Sequence, residues 1–342
     1  MSTARGELVL PVLLALLIAA AIVAIGVGSV HVPAGRVVEI LISGGASQTA
    51  TDTIAPDVRI VRQLRLPRVL LAMVVGAALS VAGAAFQGLL RNPLADPFIL
   101  GTSSGAALAA TIFIATGLSS LALGWLLQPL AAFVGSLLAL LAVYLLARTG
   151  GRVPIEVLLL SGVIVNAFLF ALVLLVLAVA RLEAVEILLW LMGSLTLGAR
   201  GELLALVAVV TAVGGTLVWV MARDLDVMSL GDDQAGLLGV ATERLKRRVF
   251  VVVSLMVGAA VSVSGIIGFV GLIVPHLARM TVGAKHRVLI PASALLGALF
   301  LVVADGAART LFAPNELPVG VVTALAGAPF FIVLLRRRKR AF

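Results

Sequence analysis

Ten stretches of mostly apolar residues, each close to the length that crosses a lipid core, follow one another along this chain. They run over 8–28, 69–89, 98–117, 124–147, 157–180, 202–221, 249–266, 267–282, 288–311 and 317–335. A helix needs roughly 20 residues to span ~30 Å of hydrocarbon. Irregular backbone cannot face that hydrocarbon, because its N–H and C=O groups would go unpaired. The pattern predicts an all-α, polytopic membrane protein of about ten transmembrane helices, with residues 1–342 as a single transmembrane permease domain. Composition agrees, with 62% hydrophobic and 12% charged residues, against about 45–50% apolar and 25% charged in soluble domains. The first stretch exceeds the ~7–15 residues of a signal-peptide core and is expected to be a retained helix.

Lysine and arginine number 25 against 16 acidic residues, a net charge of +9. In a soluble chain this excess would point to nucleic acid. In a membrane chain it fits the enrichment of basic residues in cytoplasmic loops, and no nucleic-acid partner is expected. With the N-terminus placed inside, 17 basic residues fall on the inner side and 8 on the outer. Both termini are therefore expected in the cytoplasm. Cysteine is absent, which excludes disulfides, thiolate metal sites and a thiol nucleophile. His31, His276 and His286 are too dispersed to form a ligand set, so no metal or cofactor is expected.

The segment Val75–Gly83 reads VGAALSVAG and Val257–Gly265 reads VGAAVSVSG, identical at seven of nine positions, and the register continues until Pro93 meets Pro275. Small-residue helices resemble one another by composition, but a matched proline outside the small-residue run argues for a true repeat. The copies open the second and seventh stretches. That odd offset makes them point in opposite directions through the bilayer, with halves of roughly 60–180 and 245–335. Inverted repeats are a transporter device, and their Gly and Ala positions serve close helix packing. Pro275, inside the eighth stretch, requires a neighbouring helix to help satisfy the carbonyl it frees.

A nucleotide-driven pump needs a G-x-x-x-x-G-K-[ST] loop. The three lysines, Lys246, Lys285 and Lys339, none of them after glycine, exclude it. The chain is expected not to be an enzyme, and any ATP hydrolysis must come from another subunit. On the outer side Arg59, Arg62, Arg65 and Arg68 recur every third residue, where basic charge is disfavoured. They read either as headgroup or solvent contacts or as a socket for carboxylates, which guanidinium forks grip bidentately. Asp305 precedes Arg309 by one helical turn, the favourable order for an i,i+4 pair, and is expected to orient it.

Several motifs point one way: RLPR at Arg65–Arg68, GLLRNPLADPFILGTSSGAAL at Gly88–Leu108 and WLMGSL at Trp190–Leu195. SLGDDQAGLLGV at Ser229–Val240, SGIIGFVGLIVPHLAR at Ser264–Arg279 and ELPVGVVTALAGAPFF at Glu316–Phe331 complete the set. From about residue 60 to the C-terminus the chain resembles the permeases of type II ATP-binding-cassette importers (the FecCD type), which take up cobalamin, haem and ferric siderophores. The resemblance implies a homodimer of ten-helix subunits in a bacterial or archaeal cytoplasmic (inner) membrane, with the pathway between them. It also implies two cytoplasmic ATP-binding subunits and a periplasmic or lipid-anchored substrate-binding protein.

Carried over residue by residue, the resemblance assigns binding-protein docking to Arg65, Arg68 and Arg309, with Arg59 and Arg62 as local additions. It makes Ser229–Val240 the coupling helix, with Asp232, Asp233, Ala235, Leu238 and Gly239 in contact with the ATPase. On that reading Arg244 to Arg248 hold the loop at the inner membrane face. Asn92 and Leu94 match one part of a cytoplasmic gate, while the second part, near Arg152 to Glu156, lacks the small hydroxyl residues of some members. Thr102, Ser103 and Ser104 pack helices or line the pathway, and Asn166 is a pathway residue or interhelical glue.

Gly101–Gly105 also fits G-x-S-x-G, but a nucleophile elbow needs a strand–turn–helix setting, and here the glycines open a membrane helix. His276 reads as a helix-end hydrogen-bonding residue rather than a haem ligand. An ion-coupled secondary transporter would share the inverted repeat, yet Asp305 beside Arg309 is a poor relay. Which of ferric siderophore, haem and cobalamin is carried is not legible in the residues.

Overall fold

The computed structural model describes residues 2–28, 30–42, 56–148, 150, 153–180, 182–196 and 199–339, and among them all regular structure is helical. In chain order the helices are α1 (Ser2–Gly26), α2 (Ala34–Ile42), α3 (Pro56–Arg59), α4 (Leu66–Leu89) and α5 (Thr102–Ala115). Next come α6 (Gly124–Ala147), α7 (Ile155–Val179), α8 (Ala184–Leu191), α9 (Gly201–Val220) and α10 (Ala222–Met228). The last are α11 (Asp232–Leu237), α12 (Thr242–Ser264), α13 (Val270–Val282), α14 (His286–Thr310) and α15 (Val319–Lys339). A π-helical stretch, Ile60–Arg65, joins α3 to α4, and a 3-10 turn, Pro97–Leu100, precedes α5.

Each expected apolar stretch falls on a helix, but among the described residues only 7 helical segments are long and apolar enough to cross a membrane unaided. The apolar helices Thr102–Ala115, Val270–Val282 and Val319–Ile332 are shorter. With 14 residues, α5 rises only about 21 Å. Its start is displaced from 98 to Thr102 by Pro97 and by Gly101, which sits at φ +84°. The α12–α13 break is equally local: Gly265 at φ +63° and Phe269 at φ +69° interrupt an otherwise continuous apolar run. In the other direction, helix continues from Pro56 into α4 and α12 begins at Thr242. Those first turns carry Arg62, Arg65, Arg244 and Lys246, so hydropathy trims what the backbone retains.

The repeat-bearing helices α4 and α12 form the centre. In their most apolar windows 78% and 72% of residues are buried, against 17% in α7 and 22% in α9, so the latter turn their side chains to lipid or to another chain. Arg68 and Ser264 line one cavity, and Leu89 and Lys246 another. The N-terminal end of α4 therefore lies beside the C-terminal end of α12, and the two run antiparallel. We call the two faces of the bundle the Arg68 end and the Lys246 end. Helix α4 packs on α12, α13 and α14, while α12 packs on α4, α5 and α6. Exchanging α4 with α12, α5 with α13 and α6 with α14 leaves this neighbour set unchanged. Gly76 meets the main chain of Gly297 in α14, and its counterpart Gly258 meets Ser136 and Phe133 of α6.

Pro275 cannot donate to the carbonyl of Gly271 four residues back. That oxygen is turned to Gly83 of α4, where any Cβ would overlap it. One residue on, the amide of Gln87 donates to the Leu272 carbonyl at 3.0 Å. Helix α4 thus lies against the freed carbonyl and bonds the one next to it.

Candidate functional site

At the Arg68 end, Asp305 is fully buried in α14 and accepts from Arg68 Nε at 2.9 Å and Arg309 Nε at 3.0 Å. The sequence paired Asp305 with Arg309 alone; α4 adds the second cation. Arg68 also donates to Glu316 Oε2 at 2.7 Å. Arg309 reaches across to α1, donating to the Val27 carbonyl at 3.0 Å and that of Ala24 at 2.8 Å. Arg65 donates to Ile25 at 2.9 Å, to Gly26 at 3.0 Å and to the Val30 carbonyl. A helix leaves its last four carbonyls without intrahelical donors, and here two arginine forks cap those of α1. Arg65 and Arg309, expected to face a docking partner, are thus buried and bonded to their own chain. Arg68 is mostly buried. All three still line one depression of about 270 Å³, together with Gly28, Val30, Ile60, Leu64 and Glu316. Exposed Arg59 bonds Gln63, and Arg62 donates to the Ile40 carbonyl at 3.2 Å.

At the Lys246 end, α11 is anchored from below. Lys246 forms ion pairs with Asp232 and, at 3.0 Å, with Glu243. Ala235 is fully buried beneath the helix, so it supports the exposed face rather than forming part of it. The chain then exposes two adjacent leucines, Leu237 at 89% and Leu238 at 63%, before Gly239 turns at φ +88°. Leu237 was not singled out from the sequence, although two apolar residues inside a polar loop are themselves the signal. Asn92 Oδ1 accepts from Leu94 N at 2.9 Å, closing the turn after α4. The side chain of Arg91 packs so near Gly231 that a Cβ there would sit 3.2 Å from Nη1. The turn after α4 and the α10–α11 loop are therefore neighbours. Of the segment expected to form the second part of a gate, Arg152 lies outside the described residues, as do Arg181 and Arg340 of the charge count.

Helix α10 is pinned to α14. Asp226 Oδ1 takes the His286 main-chain N–H at 2.9 Å and ring Nδ1 at 2.6 Å. Burial pushes the Asp226 carboxyl up, but the His286 hydrogen bonds and the nearby positive charge of Lys285 outweigh it and hold it below its ordinary range.

Midway between the ends, Asn166 Nδ2 donates to the carbonyls of Phe98 at 3.1 Å and Ile99 at 2.9 Å, and Ser104 Oγ donates to Asn166 Oδ1 at 2.6 Å. These residues fasten the 3-10 turn and α5 to α7, which favours glue over a pathway lining. Thr102 is buried against the Pro97 carbonyl, and Ser103 is half-buried. Among the described residues no group of three or more His, Asp or Glu could hold a metal ion.

Two differently built ends, one arginine-rich and one offering leucines above an ion-paired base, are joined by α4 and α14 in a single bundle. Residues 16–337 match the FecCD transport family. The chain belongs to that family. It is a multi-pass membrane permease of the ABC-importer class. The cobalamin import system permease BtuC of Halobacterium salinarum is 46% identical over 280 residues, covering 82% of this chain and 74% of that one. The hemin transport system permease HmuU of Yersinia pestis is 44% identical over 280 residues, covering 81% and 83%. Among solved structures, a metal-chelate-type ABC transporter in an inward-facing conformation superimposes with a TM-score of 0.81 at 31% identity, covering 97% of this chain and 99% of that one. FecCD membership agrees with a chain that has two ends and no nucleotide loop.

Proposed function

We propose that two copies of this FecCD permease enclose a pathway for a bulky metal chelate of the cobalamin, haem or ferric-siderophore class, moved inward by two ATP-binding subunits. The Lys246 end faces the cytoplasm, and the Arg68 end receives a substrate-binding protein. Both chain termini then lie in the cytoplasm. Gly26 of α1 and Val319 of α15 sit at the Arg68 end, so each terminal helix points its free end the other way. The observation that carries the proposal is the leucine pair. A large apolar side chain left 89% exposed on a braced helix above Lys246 is explained by a partner that covers it. Asp233 and Gly239 flank that surface, with Asp232 ion-paired below. Ion coupling is disfavoured, because the buried carboxylate Asp305 is already ion-paired with two guanidiniums.

Uptake of chelate into proteoliposomes containing the ATP-binding subunits is expected to require ATP. Uptake driven by a proton or sodium gradient in their absence would reverse the proposal. In the double variant L237D/L238D, uptake is expected to fall at least tenfold, because a carboxylate cannot enter an apolar groove unpaired. Thermal unfolding should match the parent, since both side chains are exposed. Normal uptake in that variant would remove the coupling role.

The docking role rests on Arg68 with Arg65 and Arg309 behind it. Glu316, half exposed, fills the socket in the undocked state. A solvent-exposed ion pair is worth only ~0–1 kcal/mol, so an incoming carboxylate can displace it. Glu316→Gln is therefore expected to tighten binding-protein affinity by roughly two- to fivefold, and Arg68→Glu to weaken it in a salt-sensitive way. Unchanged affinity in Arg68→Glu would discard the socket.

A further inference from the structure

A cavity of about 360 Å³ at the Arg68 end is distinct from the docking depression, although Arg68 and Glu316 form a wall of both. Its lining includes Trp125 and Gln128 of α6, Glu186 and Trp190 of α8, Ser194 and Arg200. Gln128 is nine-tenths buried, yet its amide has no hydrogen-bond partner among the described residues. The amide opens into the cavity, whose wall Gln128 forms. Arg200 lies over the Trp125 ring at 4.6 Å and forms no ion pair among the described residues. Stacking occupies the face of a guanidinium and leaves its N–H edge for acceptors in its plane. Two unused donors, an amide and a guanidinium, thus line one cavity walled by two indoles.

We propose that this cavity is a way-station on the import route that takes an oxygen-bearing arm of the chelate, a carboxylate, hydroxamate or amide carbonyl, with Gln128 and Arg200 as donors and Trp125 and Trp190 as apolar walls. Its volume lies near the lower end of the ~300–1,000 Å³ of small-molecule sites, which suits one arm rather than a whole macrocycle. The inference rests on the importer reading and adds the place where cargo first meets the permease.

Because the native chain has no cysteine, Gln128→Cys carries the sole thiol. Its rate of modification by a membrane-impermeant thiosulfonate is measured in proteoliposomes bearing the ATP-binding subunits. Ferric citrate, a ferric hydroxamate, haemin and cyanocobalamin are offered in turn, and ATP-driven uptake of each is measured with the parent chain. Ser194→Cys is a second reporter should the first not fold, and Leu182→Cys, at 93% exposure, is the control outside the cavity. The chelate that is taken up is expected to slow modification at Gln128→Cys or Ser194→Cys at least fivefold and to leave Leu182→Cys unaffected. Uptake of a chelate without protection at either reporter overturns the way-station and leaves the importer reading intact. ATP-driven uptake of none of the four overturns the importer reading and the way-station with it.

Discussion

Asp305→Ala is expected to lower the thermal unfolding midpoint in detergent by on the order of 5–10 °C and to reduce the yield of folded protein. Asp305 is fully buried and ion-pairs with both Arg68 and Arg309. Removing one partner of a buried pair costs ~3–5 kcal/mol, because a charge is left uncompensated in a low-dielectric site. Here Arg309 loses its only carboxylate among the described residues, and Arg68 is left with Glu316 alone. The loss also propagates, since Arg309 caps the Ala24 and Val27 carbonyls and fixes the end of α1 on α14. Asp305→Asn keeps the shape and one acceptor oxygen, and should show roughly half the effect. In the double variant D305A/R309M, part of the stability should return, because one orphaned cation has gone. A midpoint for Asp305→Ala within about 1 °C of the parent would show that the ionic hub does not hold the Arg68 end together.

The second large effect belongs to a single methyl group. Gly83→Ala would place its Cβ inside the Gly271 carbonyl, and a main-chain atom cannot rotate away as a side chain can. Overpacking a core ordinarily costs ~1–3 kcal/mol after side chains adjust, but here α4 and α13 must separate along their contact. Separation also withdraws Gln87 from the Leu272 carbonyl. Gly83→Ala is expected to be recovered only as aggregate, or with a midpoint at least 10 °C below the parent. Gly215→Ala, on a lipid-facing helix with nothing within 4 Å of the new methyl, is the control. It should match or slightly exceed the parent, since alanine favours helix over glycine by ~1 kcal/mol. Full recovery of Gly83→Ala at the parent midpoint would mean that the α4–α13 contact is looser than described.

The small-residue repeat carried its own structural meaning in the sequence. Gly76 meets the Gly297 main chain of α14, where only glycine lets two helix backbones come that close, and its register partner Gly258 packs against the Ser136 and Phe133 side chains of α6. Membrane immersion was equally legible, since the hydrophobic term depends on composition and run length rather than on contacts. Helix edges were not. Hydropathy cannot see that Arg62 and Arg65 continue a helix whose arginines bond main-chain oxygens, nor that Gly101 and Phe269 at positive φ shorten α5 and α13.

The functional residues divide in the same way. Run lengths and the order of motifs suffice for a polytopic transport permease, because each is a property of the chain read along its length. Which acceptor each arginine takes, that Ala235 lies beneath α11 while Leu237 lies above it, and that Gln128 opens into a cavity at the Arg68 end were decided by packing. Those pairings join positions as far apart as Ala24 and Arg309. A linear pattern sets which side chains are available, and only the folded bundle sets which of them meet.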